Sequence, residues 1–310
     1  MTAPEKIVER LKAEPCWRVL CHVKPDGDTL GSASALVSAG KKLGKKVEWG
    51  GPDPVPGGYH FLPWIEEYRQ YSSLPRDGSC VVALDISTPE RTAEGAPVQI
   101  CIDHHLDNAG FGELNWISPQ FSSVGEMVFA LIQELGCSWD VPMAEALYVS
   151  ISTDTGDFKF SNTSADTLRI ASELLQIGVS TVKIDELLHF NDSLEKLHLW
   201  GLCLSRAKQI NGRAVLSWIS RQDFRETGAT EGDSEALVNM LTHVAGTQVA
   251  VLVSEFSDQL RCSIRSRGEC SAQLFASKWG GGGHKYAAGC KIPLPLQEGL
   301  ALLEKELQRV

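Results

Sequence analysis

Val98-Gln99-Ile100-Cys101-Ile102-Asp103-His104-His105 is an apolar run with strand character that ends in an acid and two adjacent histidines. A short continuous apolar run is the pattern of a strand buried on both faces of a parallel sheet. Three strong polar groups at its tip have no packing role there. On open α/β sheets, ligand and metal sites lie outside the carboxyl ends of the strands. The stretch therefore predicts an α/β fold with a functional site at the strand tips.

Three further segments follow the same pattern. Arg18-Val19-Leu20-Cys21 reads as a buried strand that runs into His22-Val23-Lys24-Pro25-Asp26-Gly27-Asp28. Pro25 stops the strand and Gly27 permits a tight bend, so His22, Asp26 and Asp28 can turn toward a common point. The run from Cys80 to Leu84 ends in Asp85, and the apolar stretch 144–151 leads to Ser152-Thr153-Asp154. Taken singly, each of these residues is more simply a turn former or a helix cap. Together they change meaning, because several carboxylates in one crevice repel each other unless cations compensate them.

The ligand count suggests two ions. His22, Asp26 and Asp85 would serve one, and Asp28, Asp85, His104 and Asp154 the other, with Asp85 bridging. Carboxylate and imidazole ligation without thiolate points to manganese, with magnesium, cobalt or iron as alternatives, rather than to a structural zinc. Two such ions about 3.5–4 Å apart form a clamp for in-line displacement at phosphorus by an activated water.

The motifs His22-x-x-Pro25-Asp26-x-Asp28, Asp85 and Asp103-His104-His105 resemble those of the DHH phosphoesterase superfamily. Toward the C-terminus, Gly280-Gly281-Gly282-Gly283-His284 followed by Ala287-Ala288-Gly289 resembles the glycine-rich signature of the DHHA1 domain. The resemblance covers nearly the whole chain. It implies an N-terminal parallel-sheet DHH domain over 1–190, a helical connector over 191–212 and a smaller α/β DHHA1 domain over 213–310. The active site is then expected in the cleft between the two domains.

The length of 310 residues and the order of the halves are similar to those of the small oligoribonucleases that also act as adenosine 3',5'-bisphosphate (pAp) phosphatases. RecJ-type exonucleases carry additional domains, and family II pyrophosphatases lack the glycine loop. The resemblance thus implies a two-metal phosphoesterase for short oligoribonucleotides (nanoRNA), for the 3'-phosphate of adenosine 3',5'-bisphosphate, or for both. A phosphodiesterase for cyclic or linear dinucleotides and a RecJ-like single-strand exonuclease are the other enzymatic readings. A nucleotide sensor would expect an eroded ligand position, and none is missing.

The resemblance also implies that His105 contacts the scissile phosphate, which makes His105, Asp103 and Asp85 the expected catalytic group. Asp103 is expected to hold His104 in its ligating tautomer. The glycine run follows an amphipathic helix and precedes His284-Lys285, so Gly282, Gly283 and His284 can approach a phosphate or a base closely. Cys262-Ser263-Ile264-Arg265-Ser266-Arg267 reads as a strand ending in two arginines that point the same way. Arg265 is expected to grip a substrate phosphate, with Arg267 beside it. Lys159 or Asn162 is expected at the substrate, and capping of the following helix is an equal alternative for Asn162.

Helices are expected over 4–14, 29–43, 124–135, 143–152, 165–177, 182–189, 194–210, 234–244, 271–278 and 296–308. Further strands are expected over 46–50, 214–219, 248–254 and 260–264. The apolar fraction of 43% and charged fraction of 22% are those of a globular chain. The start lacks a secretory pattern, and no apolar stretch approaches the length of a membrane span. Nine cysteines without a C-x-x-C pair read as reduced core residues of a cytoplasmic protein. The net charge of -10 speaks against a chain that coats long duplex nucleic acid and favours a small nucleotide or a short oligonucleotide. A homodimer is compatible with the sequence, which leaves oligomeric state open.

Overall fold

The computed structural model describes residues 2–95, 97–256, 259–283, 285–293 and 295–310. The chain divides between Asn191 and Asp192 into two compact units.

The first unit opens with helix α1 (Glu5–Ala13), which buries Ile7, Val8 and Leu11 on one face. Strand β1 (Cys16–Leu20) leads into helix α2 (Gly27–Lys42), and β2 (Lys46–Gly51), β3 (Arg69–Gln70), β4 (Cys80–Leu84), β5 (Ile100–Asp103) and β6 (Leu114–Ile117) complete one sheet. Its order is β3-β2-β1-β4-β5-β6 and every pairing is parallel. The chain fills one side of β1 and then returns to the other with β4. That reversal opens a crevice outside the tips of β1 and β4, the place where such sheets bind ligands.

Helices α3 (Val124–Leu135), α4 (Val141–Asp154), α5 (Ala165–Ile177) and α6 (Thr181–His189) follow. The small side chains of α2 let it run through the core, where fourteen of its sixteen residues are buried. A Cβ on Gly31 would stand 2.4 Å from the Ala146 carbonyl oxygen, so glycine is what brings α2 and α4 together. The core around them includes Trp17, Val19, Trp49, Val82, Leu84, Ile100, Ile102 and Leu147. Full burial of side chains of this kind contributes about 1.5–3 kcal/mol each.

The second unit contains α7 (Leu194–Ser205), β7 (Lys208–Ile210), β8 (Ala214–Ile219), α8 (Arg221–Thr227), α9 (Leu237–Leu241), β9 (Val249–Glu255), β10 (Leu260–Ser266), α10 (Ala272–Ser277), β11 (Gly282–Gly283), β12 (Ala287–Ile292) and α11 (Leu296–Leu307). Its sheet runs β11-β12-β10-β9-β8-β7, with β8 and β9 parallel and the other pairs antiparallel.

Two expectations are corrected here. Within the segment 191–212, expected as a helical connector, Leu199 and Cys203 of α7, one turn apart, are buried against Val215 and Ile219 of β8. The helix stops at Ser205, and 208–210 pairs with β8 as an edge strand. The helix expected over 234–244 shrinks to α9, because Thr230 and Asp233 cap a separate turn and Ala236 sits in the left-handed region at φ 62°.

Candidate metal centre

The tips of the parallel strands deliver the polar groups. His22 follows β1 by two residues, Asp85 follows β4 directly, and Asp103 ends β5 with His104 and His105 behind it. Asp26 caps α2, accepting hydrogen bonds from the amides of Asp28 (3.1 Å) and Thr29 (3.3 Å). Asp28 lies in the first turn of α2 and Asp154 is the last residue of α4.

These side chains converge. His22 Nε2 lies 3.6 Å from Asp26 Oδ1 and 3.3 Å from Asp85 Oδ2. His104 Nε2 lies 3.6 Å from Asp28 Oδ2, 3.6 Å from Asp85 Oδ1 and 3.5 Å from Asp154 Oδ2. The ligand-type atoms of His22, Asp26 and Asp85 all fall within 4.8 Å of one another, as do those of Asp28, His104 and Asp154, and those of Asp85, His104 and His105. Most of these separations are too long for good hydrogen bonds. They match the spacing of two ligands on one ion with bonds of about 2.0–2.2 Å.

Electrostatics agree. Asp85 is 2% exposed and, among the described residues, its Oδ1 has no hydrogen-bond partner. An orphaned, buried carboxylate oxygen is costly unless something positive fills its place. Its backbone is also left-handed, at φ 61°, a conformation that concentrates at functional sites. Burial pushes the Asp85 carboxyl up, with His22 opposing. Burial, then the charges of Asp85 and Asp154, push Asp28 up as well. Asp154 is pushed up to about 6 by burial and by Asp85 and Asp26, against the pull of His104. For His22, burial disfavours the charged ring, but Asp26 and Asp85 outweigh it and raise the imidazole to about 10. The acids and rings present fit hard to borderline divalent cations.

Backbone and side chains orient the donors. His22 Nδ1 lies 2.7 Å from the Val23 carbonyl, which leaves Nε2 for an ion. The amides of Val124 (2.8 Å) and Gly125 (3.1 Å), at the start of α3, donate to Asp28, and so does the Ser150 hydroxyl. The positive end of α3 thereby offsets part of the Asp28 charge.

Asp103 corrects an expectation. Its fully buried carboxylate does not touch the His104 ring. Oδ1 accepts from the His104 amide (2.8 Å) and from His105 Nδ1 (2.8 Å), and Oδ2 accepts from Asn108 Nδ2 (2.6 Å). The His104 ring instead has its Nδ1 at 3.4 Å from the Phe121 carbonyl. The bond to Asp103 raises His105 to about 9. Burial resists ionisation of Asp103, yet His105 and Asn108 hold its carboxyl below the ordinary range.

Asn108 escaped the sequence reading, as did Arg91, whose Nη2 lies 3.3 Å from His22 Nδ1. Asn108 looks like an ordinary turn residue after the triplet, and Arg91 like a solvated loop charge. Neither carries a local signal of its partner.

The expected substrate contacts divide. Arg265, Gly282 and Gly283 line one cavity of about 520 Å³ in the second unit. The glycine run is no flexible linker: β11 pairs with β12, and a Cβ on Gly281 would stand 2.3 Å from the Gly289 carbonyl oxygen. A Cβ on Gly282 would meet nothing within 4 Å, so this glycine faces open space. His284 lies outside the described residues. Arg267 donates to the Thr242 carbonyl and is absent from the cavity lining. Asn162 does not cap α5, whose cap is Ser164; its Nδ2 ties the carbonyls of Ser122 (3.0 Å) and Asp154 (3.1 Å) together. Lys159 is exposed and 3.4 Å from Asp157.

Residues 18–151 match the family model of the DHH family N-terminal domain, and residues 211–309 match that of the DHHA1 domain. The chain belongs to the DHH family. It is 38% identical, over 92% of its length and 87% of the relative, to the bifunctional oligoribonuclease and PAP phosphatase NrnA of Thermus thermophilus. The NrnA of Bacillus subtilis is 29% identical, with 87% of each chain covered. Among solved structures, this DHH chain is similar to an exopolyphosphatase-related protein from Bacteroides fragilis, with a TM-score of 0.89 and 25% identity over 98% of this chain and 95% of the other. A manganese-bound RecJ exonuclease, at a TM-score of 0.52 and 16% identity over 97% of this chain and 91% of the other, shares the fold.

Proposed function

We propose that this chain is a phosphoesterase that binds two divalent ions, manganese by preference, and hydrolyses short oligoribonucleotides and the 3'-phosphate of adenosine 3',5'-bisphosphate in the cytoplasm. The observation that carries the reading is Asp85, a buried carboxylate with an orphaned oxygen that belongs to both the His22–Asp26 set and the His104 set. The names of the NrnA relatives support the substrate class.

His22, Asp26 and Asp85 would hold one ion, and Asp28, Asp85, His104 and Asp154 the other. When bound, such a pair supplies the charge that makes water nucleophilic near neutral pH and stabilises an in-line displacement. The protein's own residues do the rest. Asp103 holds the His105 ring through Nδ1 and raises its proton affinity, which favours the doubly protonated imidazolium, whose Nε2–H would meet a phosphoryl oxygen or the departing oxygen. Asn108 locks the other oxygen of Asp103, which prevents that carboxylate from swinging away. In the second unit Arg265, Gly282, Gly283 and His284 would hold the remainder of the nucleotide. Arg267 and Asn162 are left out of this set because their side chains are engaged elsewhere.

The test is product analysis with the manganese-loaded protein on RNA of two to five residues, adenosine 3',5'-bisphosphate and cyclic di-AMP in parallel. Mononucleotides from the first, and AMP with inorganic phosphate from the second, are expected. Cleavage of the cyclic dinucleotide alone would overturn the assignment in favour of a cyclic phosphodiesterase.

A further inference from the structure

We infer that Asn239 is a positioning and specificity residue that holds Arg265 with a neutral acceptor, so that the guanidinium stays free to bind a phosphate of the substrate. The inference rests on reading the second unit's cavity as the place where substrate phosphate is gripped, and it adds the device that keeps that grip available.

Arg265 stands on β10, opposite Ala250 of β9 and Ala287 of β12. Those methyl side chains leave room around the guanidinium. Nε donates to Asn239 Oδ1 at 3.0 Å and Nη1 donates to the Ile264 carbonyl at 3.2 Å. Both acceptors are uncharged. Among the described residues Nη2 has no hydrogen-bond partner, and no carboxylate lies within ion-pairing reach, although Glu235 lines the same cavity. Burial lowers the guanidinium's proton affinity with no acid to oppose it.

Two other arginines drawn out of water are treated differently. Arg18 is paired with Asp77 and Glu48, and Arg206 is paired with Asp223. A cation removed from water normally takes such a partner, because an unpaired buried charge is costly. At Arg265 the residue in the partner's place is the neutral isostere of aspartate. Asn239 and Arg265 line the same cavity together with Gly282 and Gly283. The backbone that presents Asn239 is itself strained, since Ala236 opens α9 in the left-handed region at φ 62°. A guanidinium oriented by Nε and Nη1, with Nη2 directed nowhere else, is set for an anion with two or more oxygens.

The experiment compares Asn239→Asp, Asn239→Ala and Arg265→Ala in the full-length, manganese-saturated protein, measuring kcat and KM for a dinucleotide and for adenosine 3',5'-bisphosphate, with melting temperature as the check on folding. Asn239→Asp keeps the hydrogen bond and adds a competing charge, so KM should rise about tenfold or more while kcat stays within about twofold and stability holds. Asn239→Ala should raise KM less than Asn239→Asp does. A merely structural role requires the opposite order, with aspartate tolerated and alanine harmful, and that order would overturn the inference. If Arg265→Ala raises KM and Asn239→Asp does not, the inference fails and the phosphate grip stands. If Arg265→Ala leaves KM unchanged, the reading of the cavity fails and takes the inference with it.

Discussion

Asp85 combines a left-handed backbone, near-complete burial and an oxygen without a partner. Asparagine tolerates that backbone and keeps the shape, but removes the charge. Asp85→Asn should abolish metal-dependent turnover, while the chelated variant should melt at or above the wild-type temperature because a crowded buried carboxylate has been neutralised. Retained turnover would dismiss Asp85 as a shared ligand. Asn108→Ala should lower activity by about 10–100-fold with the fold intact, the usual cost of releasing a group that orients the reacting residues. Activity within twofold of wild type would deny it that role. The acids and rings themselves were legible in the sequence, because four separate segments each deliver them just beyond an apolar run. Asn108, Arg91 and Asn239 were not legible. Their partners approach from other segments, and each looks locally like a turn or surface residue. The role of Asp103 was half legible: its burial and orienting function follow from the triplet, but which of the two neighbouring rings it holds depends on how the chain turns after β5.

At the scale of elements, the approach of α2 to α4 sets the distance between Asp28 and Asp154. Gly31→Val should wedge the helices apart, destabilise the protein by about 1–3 kcal/mol as overpacking does, and weaken manganese binding in a calorimetric titration. An unchanged denaturation midpoint would mean that the contact at Gly31 relaxes without cost. Most long elements were legible because a buried strand with a carboxylate at its tip, or a helix with one apolar face, announces itself over many residues. The failures are short. The strand 208–210 has three residues and no distinguishing alternation, and α9 is cut by a strained alanine that no propensity foretells. The glycine run carries no strand signal in the sequence. It is a paired strand because Gly281 and Gly283 approach the backbone of β12 more closely than any side chain allows.

For the whole molecule, proton linkage gives a testable slope. Without metal, Asp154 is raised from 3.8 to about 6, His22 from 6.5 to about 10 and His105 from 6.5 to about 9. Each of these groups binds its proton more tightly folded than unfolded, so each contributes stability at low pH that is lost as pH rises. Acids held below their ordinary range, such as Asp103, act with the opposite sign, but only in the acidic range below these transitions. The melting temperature of the chelated protein should therefore fall between about pH 6.5 and about pH 10 as the two rings lose their protons, with the Asp154 contribution already lost between about pH 4 and about pH 6. The gain on adding manganese should widen over the same interval, because cations displace those protons. A chelated protein that becomes more stable over that interval would contradict the crowding of charge at the strand tips. None of the helices among the described residues is long and apolar enough to cross a membrane.

The side chains that converge on the crevice begin at His22 and are completed only by Asp154, at the end of α4. No local fragment of the polypeptide can assemble them early, and an emerging nascent chain that has reached β5 still lacks its last acid. If the crevice takes up cations as proposed, uptake would report that the chain has folded at least through the end of α4.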